Sequence, residues 1–545
     1  MITVNMGNPN ETNSMEMQEP GKDSISSLDR ISDEPKSERA GERHVAKAYP
    51  VATDAPSLRR LFSFAQLLAF SLTFMESWEV MAINISATFW NGGPRALIWG
   101  CIAVVAGSLC QAYSMAELGS ILPIAGAQYH WTHIMAPDST KKFITWMQGW
   151  VTWFAWVSAL AGSTSGEAAL LQALIAENIP GYTPERWHLT LIMWALLISV
   201  GLMNMYTFWV IPWLELTAGI LHVVLFIIFM VVLVTLAPRH DSHFVWFTDS
   251  TQSGWDSSFV AFNLGMLVPA WGFIGFDGVV HMSEEVRKAK HAVPRSMILT
   301  IVINGVMAFA TILVLLYCLG DPNTVLNAAY PIVNICYNAT KSWPATNALV
   351  SMLILITYCV VAASVASVSR ITWAWARDGA LPKWLAIIDA KHHVPTNALW
   401  LPIVIVMLLA LLNIGSTAAT AFSAFTALSS LGLYTSYIIA ISCILHARLT
   451  GRLSDKPGAA VQYGGWRMWK GFAVPINIIA LVWTIYLTIW LPFPTTIPVT
   501  GTNMNYALPI YVAVVLASLG YWFAWGSKNW PGLNASAIGM VEAHD

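Results

Sequence analysis

The sequence predicts an all-α integral membrane protein with twelve transmembrane helices. Three observations predict it: composition, the lengths of the apolar segments, and the placement of basic residues. Of the 545 residues, 56% are hydrophobic and only 11% are charged, and mean hydropathy is +0.57. Soluble domains carry about 25% charged residues, so most of this surface is expected to face lipid. A formal net charge of −2 provides no basic surface for a nucleic-acid partner.

A helix that crosses hydrocarbon needs about 20 mostly apolar residues. That rule selects segments near 62–88, 95–116, 143–176, 187–205, 208–236 and 258–280 in the first half. In the second half it selects 296–318, 347–370, 397–414, 418–446, 471–491 and 505–525. Residues 1–58 are polar and rich in Ser, Glu, Asp, Lys and Arg, the composition of a disordered tail. The tail lacks the apolar stretch of a secretory signal peptide, so the first span is expected to act as its own targeting signal. Expected organisation is a cytosolic tail over 1–58, a twelve-span domain over 59–526, and a short cytosolic tail over 527–545.

With the N-terminus placed in the cytosol, only Arg95, Arg186, Arg239 and Lys341 of the 28 basic residues fall outside. That is the asymmetry the positive-inside rule requires, and it puts both termini in the cytosol. Sequons begin at Asn10, Asn84, Asn338 and Asn534. Only Asn338 lies in a segment placed outside, so it is the expected glycosylation site, an unused sequon being the alternative. The six cysteines form no CxxC pair, and no His/Cys cluster has metal-ligand spacing, so neither a metal nor a cofactor is expected. Cys318 and Cys336 flank one outer loop; a bridge is one option, and two packing thiols the other.

The sixth span contains "VPAWGFIGFDGVV", interrupted by Pro269, Gly272, Gly275 and Gly278, with Asp277 among the glycines. An unpaired peptide group in hydrocarbon costs several kcal/mol, so a broken helix persists only beside a cavity or inside protein. Glycines that merely let helices approach are the alternative. Asp277 favours the first reading, because an ionisable group at depth is expensive and marks function. The other ionisable residues in the spans are Glu76, Glu79, Glu117, Glu167, Glu215 and His222, with no Lys or Arg in mid-span. Such an acidic interior suits protons or small cations. Glu79 and Glu167 also fit the outer mouth, and Glu117 fits an inner anchor. Glu215 and His222, seven apart, share a helix face and form either a proton path or two separately satisfied groups. Trp146, Trp150, Trp153 and Trp156 recur at helical spacing and read as packing residues. Trp78 and Trp271 adjoin the suspected breaks, where an aromatic face attracts ammonium. No phosphate loop, HExxH helix or nucleophile elbow is present, so enzymatic activity is not expected.

"AELGSILPIAGAQYHW" (116–131), "GFDGVVHMSEEVRKAKHAVPRSM" (275–297), "ARDGALP" (376–382) and "PVTGTNMNY" (498–506) resemble the amino acid–polyamine–organocation superfamily. More narrowly, the chain is similar to the fungal amino acid/choline transporter group, which includes γ-aminobutyrate and choline permeases. The resemblance implies an inverted 5+5 repeat of the leucine-transporter type, followed by two C-terminal helices. Spans one and six are then discontinuous and meet at a substrate site near the midplane. Carried onto this sequence, the substrate residues are Thr73, Phe74, Met75, Glu76, Ser77 and Trp78 with Trp271, Gly272, Phe273, Gly275, Phe276 and Asp277. Glu76, Asp277, Glu215 and His222 are the coupling candidates. The charged run after span six is then an amphipathic cytosolic loop joining the repeats, a plain solvated linker being compatible with the same residues. One departure concerns "AFSLTFMESWEV" (69–80), which lacks the glycines that usually break the first helix. Glu76 stands there in place of a neutral polar residue, either as the protonated coupling group or as partner of a cationic head group. The expected function is secondary-active, proton-coupled transport of small nitrogenous solutes, either amino acids including γ-aminobutyrate or choline-like amines. A nutrient sensor on the same scaffold, or an exporter of a specialised metabolite, is the alternative. Expected partners are the solute, protons and the lipid of a plasma or vacuolar membrane.

Overall fold

Helix follows helix along the chain, and the apolar segments expected from sequence account for the long ones, while short helices such as Gln128–Met135 and Pro331–Thr340 lie between them. The computed structural model describes residues 58–539, apart from 251, 324–327, 329, 416, 417, 502, 536 and 537. Residues 1–57 of the expected tail, with the sequon at Asn10, lie outside the described residues. The first span is divided into α1 (Phe64–Met75), α2 (Ser77–Ile83) and α3 (Ile85–Trp90). There follow α4 (Gly93–Ile121), α5 (Gln128–Met135), α6 (Lys141–Asn178), α7 (Arg186–Tyr206), α8 (Ile211–Leu236) and α9 (Ser242–Phe247). The sixth span is divided into α10 (Ser258–Gly265), α11 (Leu267–Gly272) and a 3-10 helix at Gly278–Glu285. The rest comprises α12 (Ala289–Tyr317), α13 (Pro331–Thr340), α14 (Trp343–Arg377), α15 (Thr396–Leu409) and α16 (Leu412–Gly415). It ends with α17 (Ala418–Leu449), α18 (Lys470–Trp490), α19 (Ala507–Tyr521) and α20 (Ser527–Asn529). Among the described residues there is no named strand, only isolated bridges at Phe62–Val286 and Leu453–Val461.

Nine helices among the described residues are long and apolar enough to cross a membrane. Three of the twelve expected segments are not among them, and each has a physical reason. Spans one and six are cut into pieces too short to qualify. The third, α6, is continuous over 38 residues but carries Thr, Gln, Ser and four Trp along its length, which lowers its hydropathy.

Local chemistry sets the boundaries. Ser63 and Gln66 form a capping box that starts α1, the Ser63 amide donating to Gln66 Oε1 at 3.0 Å. Pro94 and Pro212 stand in the first turns of α4 and α8, where a missing amide proton costs nothing. In the interior, α1 is enclosed by α8, α12 and α14, α12 lies along α4, and α6 packs between α14 and α17. Ile220, Ile227, Val231 and Leu236 of α8 remain exposed, as expected of a helix facing hydrocarbon.

The run after span six is amphipathic: Arg287, Lys288 and Arg295 are exposed, while its two adjacent carboxylates turn inward. Glu285 is buried and accepts from Arg370 Nε at 2.8 Å, while Glu284 takes both Arg377 terminal nitrogens at 2.9 and 3.1 Å. Glu284 also accepts from the Ala125 amide at 3.1 Å. The Phe62 amide donates to Glu285 O at 3.0 Å, which ties the entry to span one onto the same run. Arg370 is itself fully buried in α14, its guanidinium 4.0 Å from the Phe208 ring centroid. The two carboxylates can lie inside because each has a cationic partner; a buried ion without one is costly.

Cys318 and Cys336 are both free, buried thiols, so the option of a bridge falls away. Asn338 lies in α13, partly exposed, and donates to Asn334 Oδ1 at 2.7 Å. The tryptophans of α6 pack as read: Trp146 contacts Trp375, Trp522 and Trp530, and Trp156 lies 5.4 Å from Phe74.

Candidate functional site: two facing helix breaks

The break in span one falls on Glu76 itself. Its backbone is left-handed, at φ 37° and ψ 37°, without glycine. Its amide turns back to Thr73 O at 3.0 Å, which leaves the Leu72 carbonyl without its helical donor. Asn304 Nδ2 of α12 fills that role at 3.2 Å. On the other side of the break, Val80 N–H bonds Glu76 O at 2.9 Å and the helix resumes.

Span six unwinds after Gly272, and Gly275 at φ +91° makes the turn that an L side chain resists. A Cβ on Gly278 would stand 2.5 Å from the Phe74 ring, so close approach of the two spans requires that glycine. Freed peptide groups are met one by one. Ser77 Oγ donates to Gly272 O at 2.7 Å, Tyr434 Oη to Ala270 O at 3.1 Å, and Ser367 Oγ to Gly278 O at 3.2 Å. The Gly275 amide donates to Tyr437 Oη at 3.1 Å. The Ser77–Gly272 bond joins the residue after one break to the last helical residue before the other.

Glu76 and Trp271 line a small cavity together with Asn84, Glu167, Thr357 and Phe422. The space open to a water-sized sphere is about 10 Å³, close to one sphere. Glu167 is 1% exposed; its Oε2 accepts from the Thr357 hydroxyl and its Oε1 has no protein partner.

The other predicted residues divide into groups. Asp277 is fully buried and accepts from Tyr437 Oη and Gln128 Nε2 rather than facing the cavity. Thr73 donates to Glu215 Oε2 at 3.0 Å. Trp78 turns toward span five, donating to His222 Nδ1 at 3.1 Å and packing on Phe226 and Phe229. His222 Nδ1 also meets Glu79 Oε1 at 2.6 Å, and its Nε2 meets Asn304 Oδ1 at 3.2 Å. Glu215 Oε1 has no protein partner, whereas His222 is held by Glu79 and Trp78 of span one and by Asn304 of α12. Phe74 stacks on Phe70, with centroids 5.6 Å apart, and Phe276 lies 5.4 Å from Tyr437. Met75 and Phe273 are buried in the core. Glu79 is fully buried, not at a wet mouth, and Glu117 anchors Arg448 and the Met468 amide.

Sequence reading did not name Ser163, Gly166, Thr357 and Phe422 as lining residues, nor Gln128 and Tyr437 as partners of Asp277. None carries a charge, only Gln128 falls in a quoted motif, and they come from α5, α6, α14 and α17. Glu167 was visible as an intramembrane carboxylate, but nothing in the sequence put it beside Glu76.

The sequence profile described as amino acid permease matches residues 62–515. A choline transporter of Saccharomyces cerevisiae is 28% identical over 495 residues, covering 89% of this chain and 85% of its own. Amino-acid permease 2 of Neurospora crassa is 28% identical over 509 residues, covering 89% and 88%. A putative amino acid/polyamine transporter of Macrophomina phaseolina is 25% identical over 445 residues, covering 81% and 96%. With a profile match over most of the helical region and the two breaks inside it, the chain belongs to the amino acid permease family of the amino acid–polyamine–organocation superfamily.

Proposed function

We propose that this permease is a secondary-active carrier of small nitrogenous solutes, amino acids including γ-aminobutyrate or choline-like amines. In this reading spans one and six are the discontinuous pair of a twelve-span, inverted 5+5 scaffold, over residues 59–526. The observation that carries it is the Ser77–Gly272 bond at 2.7 Å, which sets the two breaks face to face beside a cavity holding Glu76. Interrupted helices are tolerated in hydrocarbon where they line such a site. Both tails are assigned to the cytosol, so the network of Glu284, Glu285, Asp277 and Gln128 closes the cytosolic side. The cavity beyond Glu76 then lies toward the outside. Coupling is assigned to protons, with Glu76, Asp277, Glu215 and His222 as the groups that can exchange them. The membrane is the plasma membrane or the vacuole, and Asn338 is the glycosylation site.

The test is uptake by the purified full chain in proteoliposomes, using labelled γ-aminobutyrate, other amino acids, choline and amines, with and without an inside-alkaline gradient. Saturable uptake that the gradient accelerates is expected. Binding without flux for every solute overturns the carrier in favour of a sensor. Flux indifferent to the gradient removes the proton.

A further inference from the structure

One pair of ionisable groups joins spans one and five without lining the cavity. His222 Nδ1 of α8 stands 2.6 Å from Glu79 Oε1 of α2, and both side chains are fully buried. Neither a carboxylate oxygen nor a bare ring nitrogen can donate, so a contact of that length holds a proton. The Trp78 indole also donates to Nδ1, at 3.1 Å, which places that proton on the Glu79 oxygen. The other ring nitrogen is fixed from span one. Asn304 Nδ2 donates at 3.2 Å to the Leu72 carbonyl, the one freed by the break at Glu76. Asn304 Oδ1, an acceptor, therefore faces His222 Nε2 at 3.2 Å, and Nε2 carries the hydrogen. The pair so defined holds two protons and has zero net charge, which avoids the cost of an uncompensated buried ion.

The same donors and acceptors define a second arrangement. If the Glu76 amide returns to the Leu72 carbonyl, Asn304 loses its acceptor and its amide is free to turn. An NH2 facing Nε2 requires that nitrogen to be bare. The ring's one hydrogen then sits on Nδ1, gives up the Trp78 bond and donates to an ionised Glu79. That state holds one proton fewer, and the proton lost goes to water. Other buried titratable groups on the elements packed around the pair are Glu76 of span one, Glu215 of α8, Cys336 of α13 and Cys359 of α14. Arg370 of α14 is held by Glu285, and α12 brings no ionisable side chain between Arg295 and Tyr317. Glu76 is in electrostatic reach of Glu79 and, as a like charge, favours retention of the proton.

We propose that the Glu79–His222 pair binds and releases the coupling proton, and that Asn304 is the positioning residue that ties its occupancy to the break in span one. The assignment rests on the proton-coupled carrier reading and narrows its coupling groups to one pair, to which Glu79 is added. Coupling then needs no contact between proton and solute. The break in span one is the shared element: its geometry decides which way Asn304 points, and Asn304 decides how many protons the pair holds.

The experiment uses the full chain in proteoliposomes with labelled γ-aminobutyrate, alanine, choline and 1,4-diaminobutane. Two modes are compared: uptake driven by an inside-alkaline gradient, and counterflow against the same unlabelled solute without a gradient, which moves no net proton. Glu79→Gln is expected to lose the acceleration by the gradient, so that the ratio of driven uptake to counterflow falls to its value without one. Asn304→Asp keeps an acceptor on Nε2 and adds a negative charge there, which favours the protonated pair. The pH of half-maximal driven uptake is therefore expected to rise by about one unit or more; an asparagine with only a structural role would change the rate and leave that pH in place. Acceleration retained in Glu79→Gln, or an Asn304→Asp profile at the parent's pH, overturns the assignment and leaves the carrier standing. Should Glu79→Gln fail in both modes, the Asn304→Asp profile decides. Parent uptake indifferent to the gradient removes the proton and this assignment together. No entry of any of the four solutes into parent vesicles overturns the carrier reading as well.

Discussion

Asp277 accepts hydrogen bonds from two side chains far away in the chain, Gln128 and Tyr437. Both are donors, and an ionised carboxylate is the one side chain of this size that can accept from both without offering a proton back. Asp277→Asn keeps one oxygen and points an NH2 at the second donor, leaving about 1–3 kcal/mol of unsatisfied polar contact in the closed state. Uptake normalised to surface protein is therefore expected to fall about tenfold or more, with delivery to the membrane unchanged. Parent-like uptake would remove Asp277 from the transport cycle. The depth of Asp277 was legible in sequence, because a carboxylate between glycines in an apolar run stands out. Its partners were not, since Gln128 and Tyr437 become informative only when α5 and α17 meet span six. Trp78 is the reverse case. Adjacency to a break suggested a solute-facing ring, but helical geometry points it at His222 of span five.

At the scale of elements, the two breaks are made by different means. Span six uses Gly272, Gly275 and Pro269, which sequence reading recognised. Span one uses Glu76 in a left-handed conformation, which costs an L residue about 1–2 kcal/mol; glycine-counting is blind to it. Glu76→Gly removes that cost and the carboxylate together. The variant is expected to melt no lower than the parent yet to lose uptake, while Glu76→Gln loses uptake without the gain in backbone freedom. A marked fall in melting temperature for Glu76→Gly would contradict a left-handed break at this residue. A second element-level prediction concerns α5. Burial, with Lys141 nearby, holds the His133 imidazole down to about 4, below the ordinary value near 6.5. The unfolded chain then binds the extra proton between those values, so stability is full above about pH 6.5 and declines as pH falls toward 4. Melting temperature is expected to drop less between pH 7 and pH 5 in His133→Gln than in the parent. Parallel declines would place the sensitivity elsewhere.

The molecule as a whole shows which kinds of information a linear reading carries. Hydropathy located the long helices, because lipid acts on each segment separately, and the basic-residue asymmetry is the ground for the proposed direction. Closure of the bundle was not legible, because it depends on pairs such as Arg370–Glu285 and Arg377–Glu284, which join residues that look like ordinary loop charges in sequence. The segment after α20 belongs to that closure. Trp530 is buried, and its indole donates to Asp378 O at 2.8 Å; the Asn534 amide donates to Asp378 Oδ1 at 3.0 Å. Tyr129 Oη of α5 takes the other carboxylate oxygen at 2.8 Å, next to the residue that holds Asp277. Removing residues 530–545 is expected to raise uptake and passive leak together, as judged by labelled-solute retention in preloaded vesicles; unchanged retention would show that the stretch is ornamental. A fluorescent reporter inserted between Trp530 and Asn534 would prise this clasp apart, so that stretch is a poor attachment point for any probe meant to leave the gate undisturbed.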